Sequence, residues 1–277
     1  MLPRFRYLQP ATLGEILDLL DDYGDQARLL AGGTDLLVGL ENGSASASHL
    51  IDIKAVQELQ RIGVEGDMLR MGACVTVNRL LEFDKLPPEC DALHTAASRL
   101  ATYQIRNRAT VGGNLCNASP ACDMGPPLLV LDAKVRAVSK QGERLIPLKE
   151  FFQGVKVTCC GPREVITEVL VPIAGGTVSA FMKRTRIKGH DLSLVNAAAA
   201  YNGRTLRVAI GAVASTPILM ENPGDTGVSD RQSITKAVLD SVSPIDDVRS
   251  SKIYRTAMVE FIVDALLGRI ETRYGGI

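Results

Sequence analysis

Two Gly-Gly turns are the strongest candidates in this chain for a ligand site. The first lies in Leu29-Leu30-Ala31-Gly32-Gly33-Thr34-Asp35-Leu36, between a strand pattern and a helix start. There, backbone amides without a Cβ beside them and a helix dipole can meet a phosphate. The second, Thr110-Val111-Gly112-Gly113-Asn114, follows about 80 residues later and runs on through Leu115-Cys116-Asn117-Ala118-Ser119-Pro120-Ala121-Cys122-Asp123. That stretch offers glycines for close backbone approach, hydroxyl and amide donors for phosphate oxygens, and in Asp123 a carboxylate able to accept from ribose hydroxyls or a ring N–H. A dinucleotide needs all of these. Neither turn matches GxGxxG or GxxxxGK[ST], which disfavours a Rossmann site and a P-loop. A pyrophosphate held between two Gly-Gly loops from different lobes is the alternative geometry. Taken singly, the first loop also has a purely steric reading, because a strand-to-helix turn requires glycine in many folds.

The elements around the loops must position them. Thr12-Leu13-Gly14-Glu15 reads as a capping box opening a helix over 12–23. A strand over 27–31, a short helix over 35–40 and a strand over 49–53 complete a compact α/β unit ending near residue 55. Next come a hairpin (61–65 with 68–71), a helix capped by Thr76 over 77–83 and a helix over 90–101. A Gly- and Asn-rich loop then occupies 107–125, followed by a second hairpin (135–138 with 145–147) and a strand over 165–171 closed by Pro172. Gly175-Gly176 marks a boundary. Beyond it, Asn202-Gly203 joins strands over 195–201 and 205–210 in what reads as a type I′ hairpin. Residues 219–230 read as an exposed connection, and helices over 233–242 and 250–267 finish the chain.

Composition narrows the function. With 277 residues, 46% hydrophobic and 22% charged, the chain is neither disordered nor fibrous. Its 31 basic and 31 acidic residues cancel and form no long run, against a nucleic-acid partner, and aromatic residues at 4% with no Trp argue against a stacking platform. The apolar stretches, such as Leu128 to Leu131, are far too short for a membrane span, and the N-terminus lacks a signal-peptide core, so a cytoplasmic location is expected. Six cysteines without a CxxC pair read as buried, reduced thiols. His49, His94 and His190 lack metal-ligand spacing, and no metal site is expected.

A family resemblance rests on these same residues. The segments AGGTD (31–35), IRNRATVGGNLCNASPACD (105–123) and PPLLVLDA (126–133) resemble the FAD-binding medium subunit of the molybdenum hydroxylases, which include carbon monoxide and xanthine dehydrogenases. LIDI (50–53), MGACVT (71–76), KRTRIKGHDLSLV (183–195) and PIDDVRSSKIYR (244–255) follow family signatures in the same order. The resemblance implies an α+β fold: a two-lobed FAD-binding domain of the vanillyl-alcohol-oxidase type at 1–175, with lobes at about 1–55 and 56–175, and a smaller α+β domain at 176–277. It further implies that Ala31, Gly32, Gly33, Thr34, Asp35 and Leu36 wrap the FAD pyrophosphate together with Thr110, Val111, Gly112, Gly113 and Asn114. Asp123 would bind the FAD, Leu100 and Ile166 would lie against it, and Lys183 would approach the flavin end, a solvated surface lysine being its other reading. Phe181 departs from the tyrosine that relatives often carry. Cys116 and Cys122 lack the insertion and the grouped thiolates of an iron–sulfur site. The implied function is electron transfer: molybdopterin on a large partner subunit, [2Fe-2S] clusters on a small one, and FAD on this chain serving an acceptor such as NAD or a quinone. No catalytic acid or base is assigned. A stand-alone FAD-dependent reductase of similar fold, such as a UDP-N-acetylenolpyruvoylglucosamine reductase, is the alternative.

Overall fold

A computed structural model describes residues 2–187, 191–223 and 228–275. The expectation for His190 lies outside the described residues.

The first α/β unit is built from β1 (Arg6–Leu8), α1 (Leu13–Tyr23), β2 (Ala27–Leu30), α2 (Leu36–Asn42) and β3 (His49–Asp52). Its strands form a parallel sheet in the order β1-β3-β2. Thr12 caps α1, its Oγ1 accepting from the Glu15 amide at 3.2 Å, while the Glu15 carboxylate reaches one residue past the cap and accepts from the Ala11 amide at 2.7 Å. Ile16 and Leu20, four residues apart on α1, turn inward onto Ile51 and Leu59.

The second unit contains β4 (Ile62–Glu65), β5 (Met68–Gly72), α3 (Val77–Leu81), α4 (Asp91–Arg99), α5 (Tyr103–Arg106), α6 (Val111–Cys116), α7 (Gly125–Val130), β6 (Lys134–Ser139), β7 (Gly142–Pro147), α8 (Leu148–Phe151), β8 (Phe152–Gly154), β9 (Val157–Thr158) and β10 (Val165–Pro172). An antiparallel sheet runs β4-β5-β10-β6-β7, and β8 pairs with β9. The stretch expected to be a loop at 107–125 instead holds α6, because the Thr110 hydroxyl supplies the cap that starts it.

The third unit is an antiparallel sheet of β11 (Val178–Thr185), β12 (Ser193–Tyr201), β13 (Leu206–Gly211) and β14 (Ile218–Glu221), backed by α9 (Arg231–Ser241) and α10 (Lys252–Tyr274). Residue alternation makes this sheet a shared wall. Phe181, Ala198, Ala200 and Ala209 join the core beneath α4 and α7, whereas Val195, Ala197, Ala199, Val208 and Ile210 join the core beneath α10. Small alanines along β12 leave room for helices on both faces.

Two expectations are corrected here. The 202–205 turn is not type I′, since Asn202 avoids the left-handed backbone and its Oδ1 accepts from the amides of Arg204 and Thr205 at 3.1 and 2.8 Å. Residues 218–221, read in part as an exposed connection, pair with β13 as an edge strand.

Candidate functional site

The first Gly-Gly turn leaves β2 at Leu30 and enters α2 through Ala31–Asp35. Gly33 has φ +75°, in the left-handed region that glycine tolerates. Gly32 serves close approach instead: a Cβ there would lie 2.1 Å from the Arg108 carbonyl oxygen. The helix closes onto the turn through Leu37 N to Gly33 O (3.1 Å) and Gly39 N to Asp35 O (2.8 Å). Among the described residues, the amides of Gly32, Gly33, Thr34 and Asp35 donate to no protein acceptor. Four successive free N–H groups on one turn make a concave surface suited to an anion.

In the second turn the four amides from Val111 to Asn114 are all paired within the protein. Thr110 Oγ1 accepts from Gly113 N (3.0 Å), Val111 N donates to Val75 O (2.9 Å), Gly112 N to Ala73 O (3.1 Å) and Asn114 N to Thr110 O (2.9 Å). Its glycines allow packing: a Cβ on Gly112 would meet Ala73 Cβ at 2.6 Å, and one on Gly113 would meet Thr110 Oγ1 at 2.7 Å. Sequence reasoning gave both loops the same backbone role, and the hydrogen bonding separates them.

The two turns nevertheless face each other. A Cβ on Gly113 would stand 3.8 Å from Ala31 Cβ. Asn117 Nδ2 donates to Asp35 Oδ1 at 2.8 Å, and Lys156 Nζ donates to Asn117 Oδ1 at 2.6 Å. Beside the first turn, at the same end of the parallel sheet, Tyr7 donates to the buried Asp52 carboxylate, which Lys54 Nζ also reaches at 2.6 Å. Burial works against the charge on Asp52, but the bonds from Lys54 and Tyr7 outweigh it and hold the carboxyl below its ordinary range.

Asp123 and Lys183 meet directly, at 2.7 Å, with side chains only 9% and 5% exposed. The surface reading of Lys183 is therefore wrong. Asp123 Oδ1 also accepts from Ser193 Oγ (2.6 Å) and Asn196 Nδ2 (2.9 Å). The carboxylate reserved in the sequence for a ribose or ring N–H is thus shared among three protein donors. Lys183 and Asn196 are register partners on β11 and β12, so this cluster joins the third sheet to the turn carrying Asp123. Leu100, at the end of α4, and Ile166, on β10, lie in the same core at 7% and 5% exposure. Ile166 neighbours the second turn through Thr167 O, which accepts from Ala73 N at 2.9 Å. Sequence reasoning missed Asn117, Lys156, Ser193 and Asn196. The usable signal for Asn196 was an amide within the apolar run Leu194 to Ala200, since a buried polar group demands partners.

The cysteines divide. Cys74, Cys90 and Cys122 are buried, and burial pushes the Cys122 thiol up to about 12, where it donates to Asn114 Oδ1 at 2.9 Å. Cys116 is exposed and Cys159 and Cys160 are half-buried, contrary to the expectation of buried thiols. His49 stacks on Tyr23 with ring centroids 3.8 Å apart. Among the described residues no three His, Cys, Asp or Glu side chains are grouped to hold a metal, and no helix is long and apolar enough to cross a membrane.

A parallel unit whose turn presents four unpaired amides faces an antiparallel unit across the second turn, an arrangement suited to a dinucleotide. Residues 3–174 match the family described as FAD binding domain in molybdopterin dehydrogenase. The chain is 32% identical, over 98% of its length and 97% of the relative's, to the xanthine dehydrogenase FAD-binding subunit of Escherichia coli O157:H7. It is also 32% identical to the carbon monoxide dehydrogenase medium chain of Hydrogenophaga pseudoflava, over 96% of each chain. The carbon monoxide dehydrogenase structure from that organism, which lacks the Mo-pyranopterin moiety, superposes with a TM-score of 0.93 at 31% identity over 99% of both chains. Quinoline 2-oxidoreductase from Pseudomonas putida 86 gives 0.90 at 28% identity, again over 99% of both. The chain belongs to this family: it is an FAD-binding subunit of molybdenum hydroxylase-type dehydrogenases, an oxidoreductase component. The α+β fold implied by the resemblance is borne out, and the stand-alone reductase is not favoured.

Proposed function

We propose that this chain is the flavin relay of a multi-subunit molybdenum hydroxylase, placed between [2Fe-2S] clusters on a small partner subunit and an acceptor such as NAD or a quinone. A large partner subunit would hold molybdopterin and oxidise the substrate. Bound FAD would supply the capacity to exchange one or two electrons. The observation carrying this reading is the row of four unpaired amides from Gly32 to Asp35, facing the turn Thr110–Asn114 across a narrow gap. On this reading Ala31 to Leu36 take the diphosphate through backbone N–H groups. Thr110 to Asn114 close the opposite side, and Leu100 and Ile166 give the cofactor an apolar backing. Asp123 would bind the FAD and Lys183 would approach the flavin end, at the junction with the third sheet where the two side chains form a buried ion pair. The cofactor domain would comprise residues 1–175, in lobes of about 1–55 and 56–175, and 176–277 would form the second domain. This division is supported by the four sheets, each drawn from one of these spans. A cytoplasmic location fits such an assembly.

The test is made on the purified chain loaded with FAD. Flavin absorbance should bleach with a chemical reductant and recover with an acceptor, and it should stay unchanged when purines, aldehydes or aromatic heterocycles are added alone. Bleaching by such a substrate in the lone chain would contradict the relay reading.

A further inference from the structure

The FAD diphosphate carries two negative charges, yet neither Ala31–Leu36 nor Thr110–Asn114 contains a Lys or Arg, and the first turn carries Asp35, a like charge. Within the two turns themselves only amides face that carboxylate, and Lys54, beside the first turn, is already bound to Asp52. One cation is tied to the turn: among the described residues, Lys156 is the ammonium or guanidinium that side-chain hydrogen bonds link to it, through Asn117 Oδ1 at 2.6 Å and from Asn117 Nδ2 to Asp35 Oδ1 at 2.8 Å.

The backbone around Lys156 is unusual. Lys156 has φ +61°, and its amide donates to the carbonyl of Ala118, itself at φ +41°, across 2.9 Å. Few residues with a side chain adopt this conformation, and two of them meeting here hold the β8–β9 hairpin against the end of α6. The hairpin thereby delivers an exposed, flexible ammonium beside a turn rich in free N–H groups.

We propose that Lys156 is a further cofactor-binding residue, whose ammonium turns from Asn117 to a diphosphate oxygen of FAD and offsets Asp35. This rests on the reading that Ala31 to Leu36 take the diphosphate. The other role open to Lys156 is a plain strap, tying the hairpin to Asn117 with no part in binding. Flavin fluorescence quenching separates the two, with FAD titrated into the cofactor-free chain at low and high salt and melting temperature recorded for each variant. Lys156→Gln is expected to bind FAD roughly tenfold more weakly, with a flatter salt dependence and an unchanged melting temperature, and Lys156→Arg to restore both affinity and salt dependence. Lys156→Gln binding within twofold of the wild type, or Gln and Arg variants weakened alike, would overturn the proposal. A wild-type chain that fails to bind FAD would instead overturn the loop reading, and the proposal with it.

Discussion

The two Gly-Gly turns share a dipeptide and little else. At Gly32-Gly33 the glycines allow a left-handed residue and a contact with the Arg108 backbone, and the turn ends with four amides unspent. At Gly112-Gly113 every amide from Val111 to Asn114 is paired within the protein, and the missing side chains make space for Ala73 and Thr110. The first turn is a donor surface and the second is a packing joint that holds it in place. Paired glycines therefore report close packing at both turns, and hydrogen-bond accounting shows which turn keeps donors for a ligand.

The substitution that strains this contrast most is Gly112→Val. Its Cβ would fall 2.8 Å from the Ala73 Cα and carbonyl oxygen, so backbone must move. We expect destabilisation of about 3 kcal/mol or more, seen in thermal melts of the cofactor-free chain. A melting temperature equal to that of the wild type, with only FAD binding lost, would return the second turn to the role of a cofactor cradle. Asp123→Ala comes next. It strands Lys183 as a buried charge without its carboxylate, and loss of one partner of such a pair costs about 3–5 kcal/mol. Denaturant melts measure this, and a stability change below about 1 kcal/mol would show that Asp123 serves the cofactor more than the fold.

The smallest effect lies away from both turns and acts as a control. The hydrogen bonds from Arg144, and then the Gly161 amide, hold the Glu164 carboxyl below its ordinary range against partial burial. A carboxyl with a lowered folded value stabilises the protein above its unfolded pKa of about 4, and that share is lost as pH falls through the folded value. Half-exposed Arg144 limits it to roughly 0–1 kcal/mol. Glu164→Gln should flatten the acid limb of the melting-temperature profile and leave FAD affinity at neutral pH unchanged. A changed affinity would tie this corner to the site.

Much of this was legible in the chain. Thr12 and Glu15 announced α1, and the hairpins read at 61–71 and 135–147 are present as β4–β5 and β6–β7. Strand β11 was missed because its first half, Val178 to Phe181, is buried on both faces and shows no alternation. Helix α6 hid in a Gly- and Asn-rich segment because its start depends on one hydroxyl, Thr110. Lys156 was invisible for a different reason. Its partner Asn117 lies 39 residues away, and only the pairing of the β8–β9 hairpin and the turn at Ala118 brings them together.

Amide hydrogen exchange with and without FAD separates the donor turn from the packing turn. In the cofactor-free chain the amides of Gly32 to Asp35 should exchange fast, and those of Val111 to Asn114 slowly. On adding FAD, exchange at Gly32 to Asp35 should slow by about tenfold or more, as each N–H gains an acceptor, with little change at Val111 to Asn114. Protection gained at Val111 to Asn114 while Gly32 to Asp35 stay fast would contradict the assignment of the first turn as the donor surface.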